Sequence, residues 1–162
     1  MINGSFNPTN REQLATLEQA GTMIYWIEDE DAENHALCRR KVENLLKALE
    51  NGNDTALSVR LNRPIKSAGH LQRLQDTLQS SAGRCLTAQR NIGLILIGGD
   101  TAIKVYRNLE AIAIRIEGEV QPGVPHGRWV GGRWGDRPVV TKAGGFGQAD
   151  TLSEAVAFLK GK

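Results

Sequence analysis

The chain has 162 residues, the size of one ordinary domain, and a chain of this length buries about two-thirds of the surface that its unfolded form exposes. Its 20 lysines and arginines nearly balance 18 aspartates and glutamates, and no long block carries one sign of charge. Composition therefore indicates neither a nucleic-acid partner nor a membrane surface, and no N-terminal apolar stretch suits a signal peptide or a membrane span. We expect a cytoplasmic protein.

Helices and strands alternate along the chain. The first helix can be capped by Asn7, has Pro8 in its first turn and ends before Gly21. Branched and aromatic runs favour strands, and leucines at helical spacing favour helices. In chain order the pattern predicts a strand over 1–3, a helix over 7–21, a strand over 22–27, a helix over 31–52, a strand over 55–61, a helix over 67–88, a strand over 92–99, a helix over 100–109, strands over 111–120 and 137–142, and a helix over 151–160.

This alternation predicts an α/β fold, with one domain over 1–162 and a mainly parallel sheet covered by helices on both faces, giving three α/β/α layers. The first strand is short, because only Met1 to Asn3 precede the Gly4-Ser5 turn, whereas central parallel strands usually have about five or six residues. We therefore expect either a stub of a strand or a chain that begins at a domain junction.

Two cysteines, Cys38 and Cys85, lie far apart in the chain and lack the spacing of metal ligands. Such a pair is typical of free, partly buried thiols in a reducing compartment, and a structural disulfide is the less favoured alternative. The thiols agree with the expected cytoplasmic location.

Three glycine-bearing turns follow predicted strands: NGSFNPTN (3–10), IGGDTA (97–102) and TKAGGFGQAD (141–150), the last of which contains Gly144 and Gly145. Parallel sheets bind ligands beyond the carboxyl ends of their strands. Glycine lets the backbone approach a ligand closely, and unpaired N–H groups at helix starts attract anions. The three turns can therefore converge on one phosphate-bearing ligand; the alternative is that each glycine only lets the chain turn.

Two familiar nucleotide fingerprints are missing. A P-loop ends in Gly-Lys-Ser/Thr, which this sequence lacks, and a dinucleotide site needs Gly-x-Gly-x-x-Gly after the first strand, where this chain has one glycine. Glu28 and Asp29 either imitate a ribose-binding acid or begin the next helix, and the second interpretation is favoured. His35 and His70 fall within predicted helices, where packing or solvent-exposed roles are favoured over catalysis.

The segment Gln121 to Gly127 has two prolines and two glycines, and it predicts a rigid loop without regular strand pairing. His126 and Arg128 either are solvated polar residues of this crossover or approach ligand oxygens, and the first interpretation is favoured. Lys142 is the better candidate for a phosphate ligand. It lies at the end of the strand that precedes the last glycine turn, and the strand fixes the position of its backbone.

Four blocks, in this order and spacing, resemble the C-terminal nucleotide-binding domain of the four-carbon acid sugar kinases, which are the D-threonate, D-erythronate and 3-oxo-tetronate kinases. The resemblance covers essentially all of the chain and is specific because four modest motifs occur together. The blocks are NGSFNPTNREQL, LILIGGDTAIKV, IEGEVQPGVPHG and PVVTKAGGFG.

The resemblance implies ATP-dependent phosphorylation of a hydroxyl group on a small sugar acid, with Mg²⁺ expected from the ATP chemistry. Asp100 would either hold Mg²⁺ or cap its helix, and capping is favoured because it needs no metal. The nucleotide contacts that the resemblance assigns are Ser5, Gly98, Gly99, Asp100, Thr101 and Gly144.

Enzymes of this family are about twice as long, and their N-terminal domain supplies most of the acid-sugar site. The resemblance therefore implies a nucleotide-binding portion that binds ATP or ADP and is inactive without that domain. The N-terminal domain is a possible separate partner, and a homodimer is also possible. A non-catalytic nucleotide-sensing or protein-binding remnant is the alternative. A Rossmann-like oxidoreductase fragment is disfavoured by the missing dinucleotide fingerprint.

Overall fold

The structure, a computed structural model, describes residues 1–62, 64–65, 67–89 and 92–161. The strands of this part are β1 (Ile2–Asn3), β2 (Met23–Ile27), β3 (Thr55–Val59), β4 (Leu94–Ile97), β5 (Ala113–Gln121), β6 (Val124–Val130) and β7 (Pro138–Lys142). The helices are α1 (Pro8–Gln19), α2 (Asp29–Glu33), α3 (His35–Glu50), α4 (Ala68–Ala88), α5 (Gly99–Asn108) and α6 (Thr151–Leu159).

The strands form one mixed sheet in the order β2-β3-β1-β4-β7-β6-β5. The first five strands in this order are parallel, whereas β6 pairs antiparallel with both β7 and β5. The short strand β1 lies between β3 and β4, where Ile2 pairs with Leu57 on one side and with Leu96 on the other. The carboxyl ends of β1, β4 and β7 therefore lie side by side at one edge of the sheet.

Alternating residues of β4 show how the sheet is covered. Leu94 and Leu96 belong to a buried cluster with residues of α3, α4 and α5. Ile95 and Ile97 belong to a second cluster with residues of α1 and α6. Because successive side chains of a strand point to opposite faces, the two clusters lie on the two sides of the sheet. The predicted single α/β/α domain with a mainly parallel sheet is confirmed.

The prediction of an irregular loop over 121–127 is wrong, because most of this segment belongs to the interior strand β6. Pro125 is tolerated there since pairing with β7 begins only at His126, so the missing N–H of the proline breaks no bond on that side. Gly127 allows a close strand approach, because a Cβ at this position would lie 2.1 Å from the carbonyl oxygen of Arg115.

The predicted helix over 31–52 is divided at Asn34 into α2 and α3. The Asn34 side chain accepts hydrogen bonds from the backbone N–H groups of Ala36 (3.1 Å) and Leu37 (3.2 Å) and so caps α3. Glu28 is the cap residue of α2, as the interpretation that it begins the next helix requires. An asparagine three residues before the first leucine of the helical pattern is the sequence signal for this break, because asparagine favours the cap position of a helix.

Cys38 and Cys85 are free and buried, which agrees with the expectation of unpaired thiols. They lie on α3 and α4, and the Cys38 Sγ is 3.1 Å from the Ser81 Oγ. Among the described helices, none combines the length and the apolar character that crossing a membrane requires.

Candidate functional site

The three predicted glycine turns meet at the carboxyl edge of the sheet. The Gly4 N–H donates to the carbonyl oxygen of Ile97 (3.2 Å), and the Gly98 N–H donates to that of Lys142 (3.0 Å). These bonds join each turn to the neighbouring strand end. We call this surface the glycine cradle, and its members are Gly4–Ser5, Gly98–Thr101 and Lys142–Gly145.

Packing or backbone conformation explains three of the cradle glycines. A Cβ at Gly4 would lie 2.1 Å from the Thr101 Oγ1, and a Cβ at Gly144 would lie 2.2 Å from the Ser5 Oγ. Gly98 has a φ of +98°, in the left-handed region that favours glycine. At these three positions, packing or the conformation of the turn is enough to explain why the residue is glycine.

Gly99 has no such structural reason to be glycine. It is exposed, its φ lies outside the left-handed region, and a Cβ there would meet no atom within 4 Å. The position is the first residue of α5 and lies in the middle of the cradle. Open space above a glycine at a helix start is what a bound anion needs.

The N-terminus of α5 lacks a side-chain cap. Gly98 is its cap residue, whereas the first helix α1 is capped by Asn7, whose Oδ1 accepts from the Thr9 N–H at 3.0 Å. The expectation that Asp100 caps α5 is wrong, because Asp100 is the second residue of the helix. The first N–H groups of α5 therefore have no side-chain acceptor from the cap position, which leaves them available to a ligand.

Asp100 is the acidic residue of the glycine cradle. Its carboxylate is exposed in the first turn of α5, and no group of three or more histidine, cysteine, aspartate or glutamate side chains in the described ranges is arranged to hold a metal. Mg²⁺ usually takes one or two carboxylates together with phosphate oxygens and water. Asp100 is therefore the carboxylate of the cradle that can contribute to such a site.

Lys142 supports the last turn of the cradle from beneath. Lys142 is 3% exposed. Its Nζ donates to the Asn10 Oδ1 (2.9 Å) and to the carbonyl oxygens of Ala143 (3.0 Å) and Gly144 (3.4 Å). Burial of the ammonium lowers the pKa of Lys142 from 10.5 to about 8. The phosphate contact of this side chain stays a prediction; in this structure its three bonds hold the loop, and its buried ammonium lies against the loop backbone.

Helix α1 holds the same loop through residues that sequence reasoning missed. The Gln13 Nε2 donates to the carbonyl oxygens of Phe146 (3.1 Å) and Gln148 (2.7 Å). Asn10 and Gln13 are both buried, although both are polar. Their spacing of three places them on one face of α1, and polar residues on a buried face are the signal that would have found them. Next to them, Gly145 lies beside the Asn7 side chain, whose Nδ2 would be 3.1 Å from a Cβ there.

The other polar residues considered from the sequence lie outside the cradle. The His126 ring packs against Phe158, with 4.2 Å between the ring centroids, and the Arg128 Nη1 donates to the carbonyl oxygen of Asp136 (2.8 Å). His70 is buried and contacts Asp29 through its Nε2, so this pair joins α4 to α2. These placements support the packing and solvated interpretations of the three residues.

Replacing Lys142 by methionine tests the depressed pKa. Between about pH 8 and pH 10.5 the unfolded chain holds a proton that the folded chain has released from Lys142. The contribution of Lys142 to the free energy of unfolding therefore rises with pH across this interval, by up to about 3 kcal/mol. Denaturant unfolding at several pH values should show wild type gaining stability relative to Lys142→Met. Lys47→Met, at an exposed lysine, is the control, and parallel profiles for wild type and Lys142→Met would contradict the burial effect.

One family model, described as a nucleotide-binding C-terminal domain, matches residues 1–152. The chain is 34% identical over 155 residues to a D-threonate kinase from Bordetella bronchiseptica, a match that covers 93% of this chain and 37% of the relative. It is 27% identical over 184 residues to a D-erythronate kinase from Heliobacterium modesticaldum, covering 98% and 41%. The chain therefore spans about two fifths of the length of these two relatives.

Solved structures give the same fold. A domain of unknown function from Bordetella bronchiseptica, crystallised with citrate as a domain-swapped dimer, superposes with a TM-score of 0.82 at 29% identity, covering 98% of this chain and 40% of that one. A protein from Haemophilus influenzae gives 0.79 at 17% identity, covering 98% and 39%, and supports the fold alone. With the family model spanning nearly the whole chain and the curated kinases matching the same stretch, the chain belongs to the family of C-terminal nucleotide-binding domains found in the four-carbon acid sugar kinases.

Proposed function

We propose that this chain is the ATP-binding portion of a kinase that transfers phosphate to a hydroxyl group of a four-carbon sugar acid. The observation that carries the proposal is the open space over Gly99 at the uncapped start of α5. A glycine with no packing requirement, placed beside unsatisfied helix N–H groups, is explained by close approach of a phosphate to the backbone. The names of the kinase relatives support the choice of reaction.

The cradle would bind the phosphates of ATP chiefly through its backbone. The N–H groups at the start of α5 would donate to phosphate oxygens, and the hydroxyl of Ser5, which is half-buried beside Gly144, would contribute from the turn after β1. The cation of Lys142 beneath the loop would favour negative charge above it. Asp100 would hold Mg²⁺ together with the phosphates, and the ion would neutralise charge that develops during transfer.

The acceptor sugar acid would come from a second domain. Phosphoryl transfer needs the acceptor hydroxyl in line with the γ-phosphate and a group that orients it. We assign that part to an N-terminal domain of the kind that the family's enzymes contain, so that closure of the two domains would bring the acceptor to the cradle. The buried free thiols suit a reducing compartment, and we place this activity in the cytoplasm.

Calorimetric titration tests the ligand class. We expect binding of Mg-ATP and ADP and no binding of NAD, because the cradle lacks the three-glycine turn that accepts a dinucleotide pyrophosphate. EDTA should weaken ATP binding, since part of the phosphate charge would then be left unneutralised. Selective binding of NAD, or no binding of either adenine nucleotide, would overturn the proposal.

A further inference from the structure

Phe146 is an exposed aromatic residue next to the glycine cradle. It follows Gly144 by two positions, and 55% of its surface is accessible. Two residues of chain span at most about 7 Å, so the ring lies within reach of a molecule whose phosphates occupy the cradle. Phosphate binding at the cradle does not by itself explain why an aromatic side chain is exposed at this position.

Phe146 lies in a loop whose backbone is held by several hydrogen bonds. Its carbonyl oxygen accepts from the buried Gln13 Nε2 (3.1 Å), which also donates to the Gln148 carbonyl oxygen (2.7 Å). The Gln148 N–H donates to the Thr151 Oγ1 (2.7 Å), which ties the loop to the start of α6. The Phe146 N–H also donates to the carbonyl oxygen of Ala143 (3.3 Å), so the backbone is anchored at Phe146 and at Gln148, and the outward position of the ring belongs to an ordered loop.

A second turn supports the ring from one side. The turn between β5 and β6 lies at the same edge of the sheet as the cradle, because β5 runs parallel to β7. Gly123 in that turn has a φ of +79°, and a Cβ there would lie 2.8 Å from the Phe146 Cδ1 and 3.2 Å from its Cε1. The glycine therefore lets the ring lie directly on the turn, while the rest of the ring faces solvent.

We propose that Phe146 is the platform on which the aromatic base of the bound nucleotide stacks. The inference rests on the proposed function and adds the subsite for the base. With phosphates at Gly99 and Gly144, the base would lie one ribose away, within reach of this solvent-facing ring two residues after Gly144. Stacking of a base on an aromatic side chain contributes about 1–3 kcal/mol and tolerates any base, because every base presents a π-face.

The second exposed phenylalanine of the described residues provides a contrast. Phe158 is 40% exposed, but its ring packs on His126 at a centroid distance of 4.2 Å, near the C-terminal end of α6. It is remote in sequence from the cradle turns, and its exposure is explained by an ordinary surface contact. Phe158→Ala is therefore the matched control for removal of an exposed ring.

The experiment separates binding of the base from binding of the phosphates. Calorimetry with ADP and with inorganic tripolyphosphate is carried out on wild type, Phe146→Ala, Phe146→Trp and Phe158→Ala. We expect Phe146→Ala to weaken ADP binding about tenfold and to leave tripolyphosphate binding unchanged. Phe146→Trp should keep the wild-type affinity for ADP, and Phe158→Ala should bind both ligands as wild type does.

Phe146→Trp provides a direct readout of stacking. ADP should quench its added fluorescence, measured against the background of Trp26, Trp129 and Trp134 in wild type, and tripolyphosphate should not. Equal ADP affinity in wild type and Phe146→Ala would overturn the proposal that the ring stacks on the base. Equal weakening of ADP and tripolyphosphate would also overturn it, because the ring would then only support the loop. Failure of wild type to bind ADP at all would instead refute the proposed function.

Discussion

Gly99→Val should lower the affinity for ATP and ADP at least tenfold without changing the free energy of unfolding by more than about 0.5 kcal/mol. A valine Cβ at this position meets no atom within 4 Å, and the backbone conformation suits an ordinary residue. Its branched side chain would occupy the space above the start of α5, where a phosphate has to approach the helix N–H groups. Calorimetric titration with ADP and denaturant unfolding measure the two effects separately.

Gly135→Val is the matched control for this variant. Gly135 is also exposed, and the nearest atom to a Cβ there is the Gly131 carbonyl oxygen at 3.6 Å, an ordinary contact. It lies between β6 and β7, at the edge of the sheet opposite the cradle, so ADP binding should be unchanged. Gly144→Val is a poorer test, because its side chain would have to displace the Ser5 hydroxyl. If Gly99→Val folds and binds ADP like wild type, the cradle glycines are turns and the ligand site lies elsewhere.

The 162 residues alone should show no measurable D-threonate or D-erythronate kinase activity, and addition of an N-terminal domain from a family enzyme should restore turnover. The chain spans only 37% of the Bordetella bronchiseptica D-threonate kinase and 41% of the Heliobacterium modesticaldum D-erythronate kinase. Without a bound acceptor, phosphates in the cradle face solvent, and slow hydrolysis is the most that we expect. Coupled detection of ADP release from Mg-ATP with each four-carbon acid measures the activity.

Gly99→Val with the same added domain is the control, and it should remain inactive. Robust phosphorylation of a sugar acid by these residues alone would show that the acceptor site lies within them. Nucleotide binding without restored activity, tested with N-terminal domains from both kinds of relative, would favour the alternative of a non-catalytic nucleotide-binding protein.

The meeting of the three glycine turns at one end of the sheet could be partly predicted from the sequence because of how parallel sheets are built. Strand-turn-helix units place their turns at one edge, so glycine turns after β1, β4 and β7 had to lie on the same side of the domain. Whether the three turns meet depends on the order of the strands in the sheet. That order is set by pairing between distant segments, which the spacing of apolar residues along the chain does not reveal. The sequence also could not distinguish Gly144, which is required by the nearby Ser5 hydroxyl, from Gly99, which has open space above it.

The missed elements have local causes. Proline and glycine usually interrupt strands, so β6 was predicted as a loop; the outcome depended on where pairing with β7 begins. The phosphate contact of Lys142 stays a prediction, whereas its hydrogen bond to Asn10 was missed because the buried polar positions of α1, three residues apart, were not considered. The side-chain partners from distant segments were therefore missed, whereas apart from β6 the type of the strands and helices was predicted.

The place of β1 in the middle of the sheet has a consequence for folding. Its two residues pair with β3 and β4, which lie far along the chain, so these contacts must overcome the entropy of closing long loops before they stabilise anything. The pair β2 and β3 is closer in sequence and can form earlier. The cradle depends on β1, β4 and β7 together, so we expect it to be among the last parts of the domain to assemble. If the cradle binds a nucleotide as proposed, the nucleotide would bind only chains that have completed their sheet, and its binding energy would add to the stability of the finished fold.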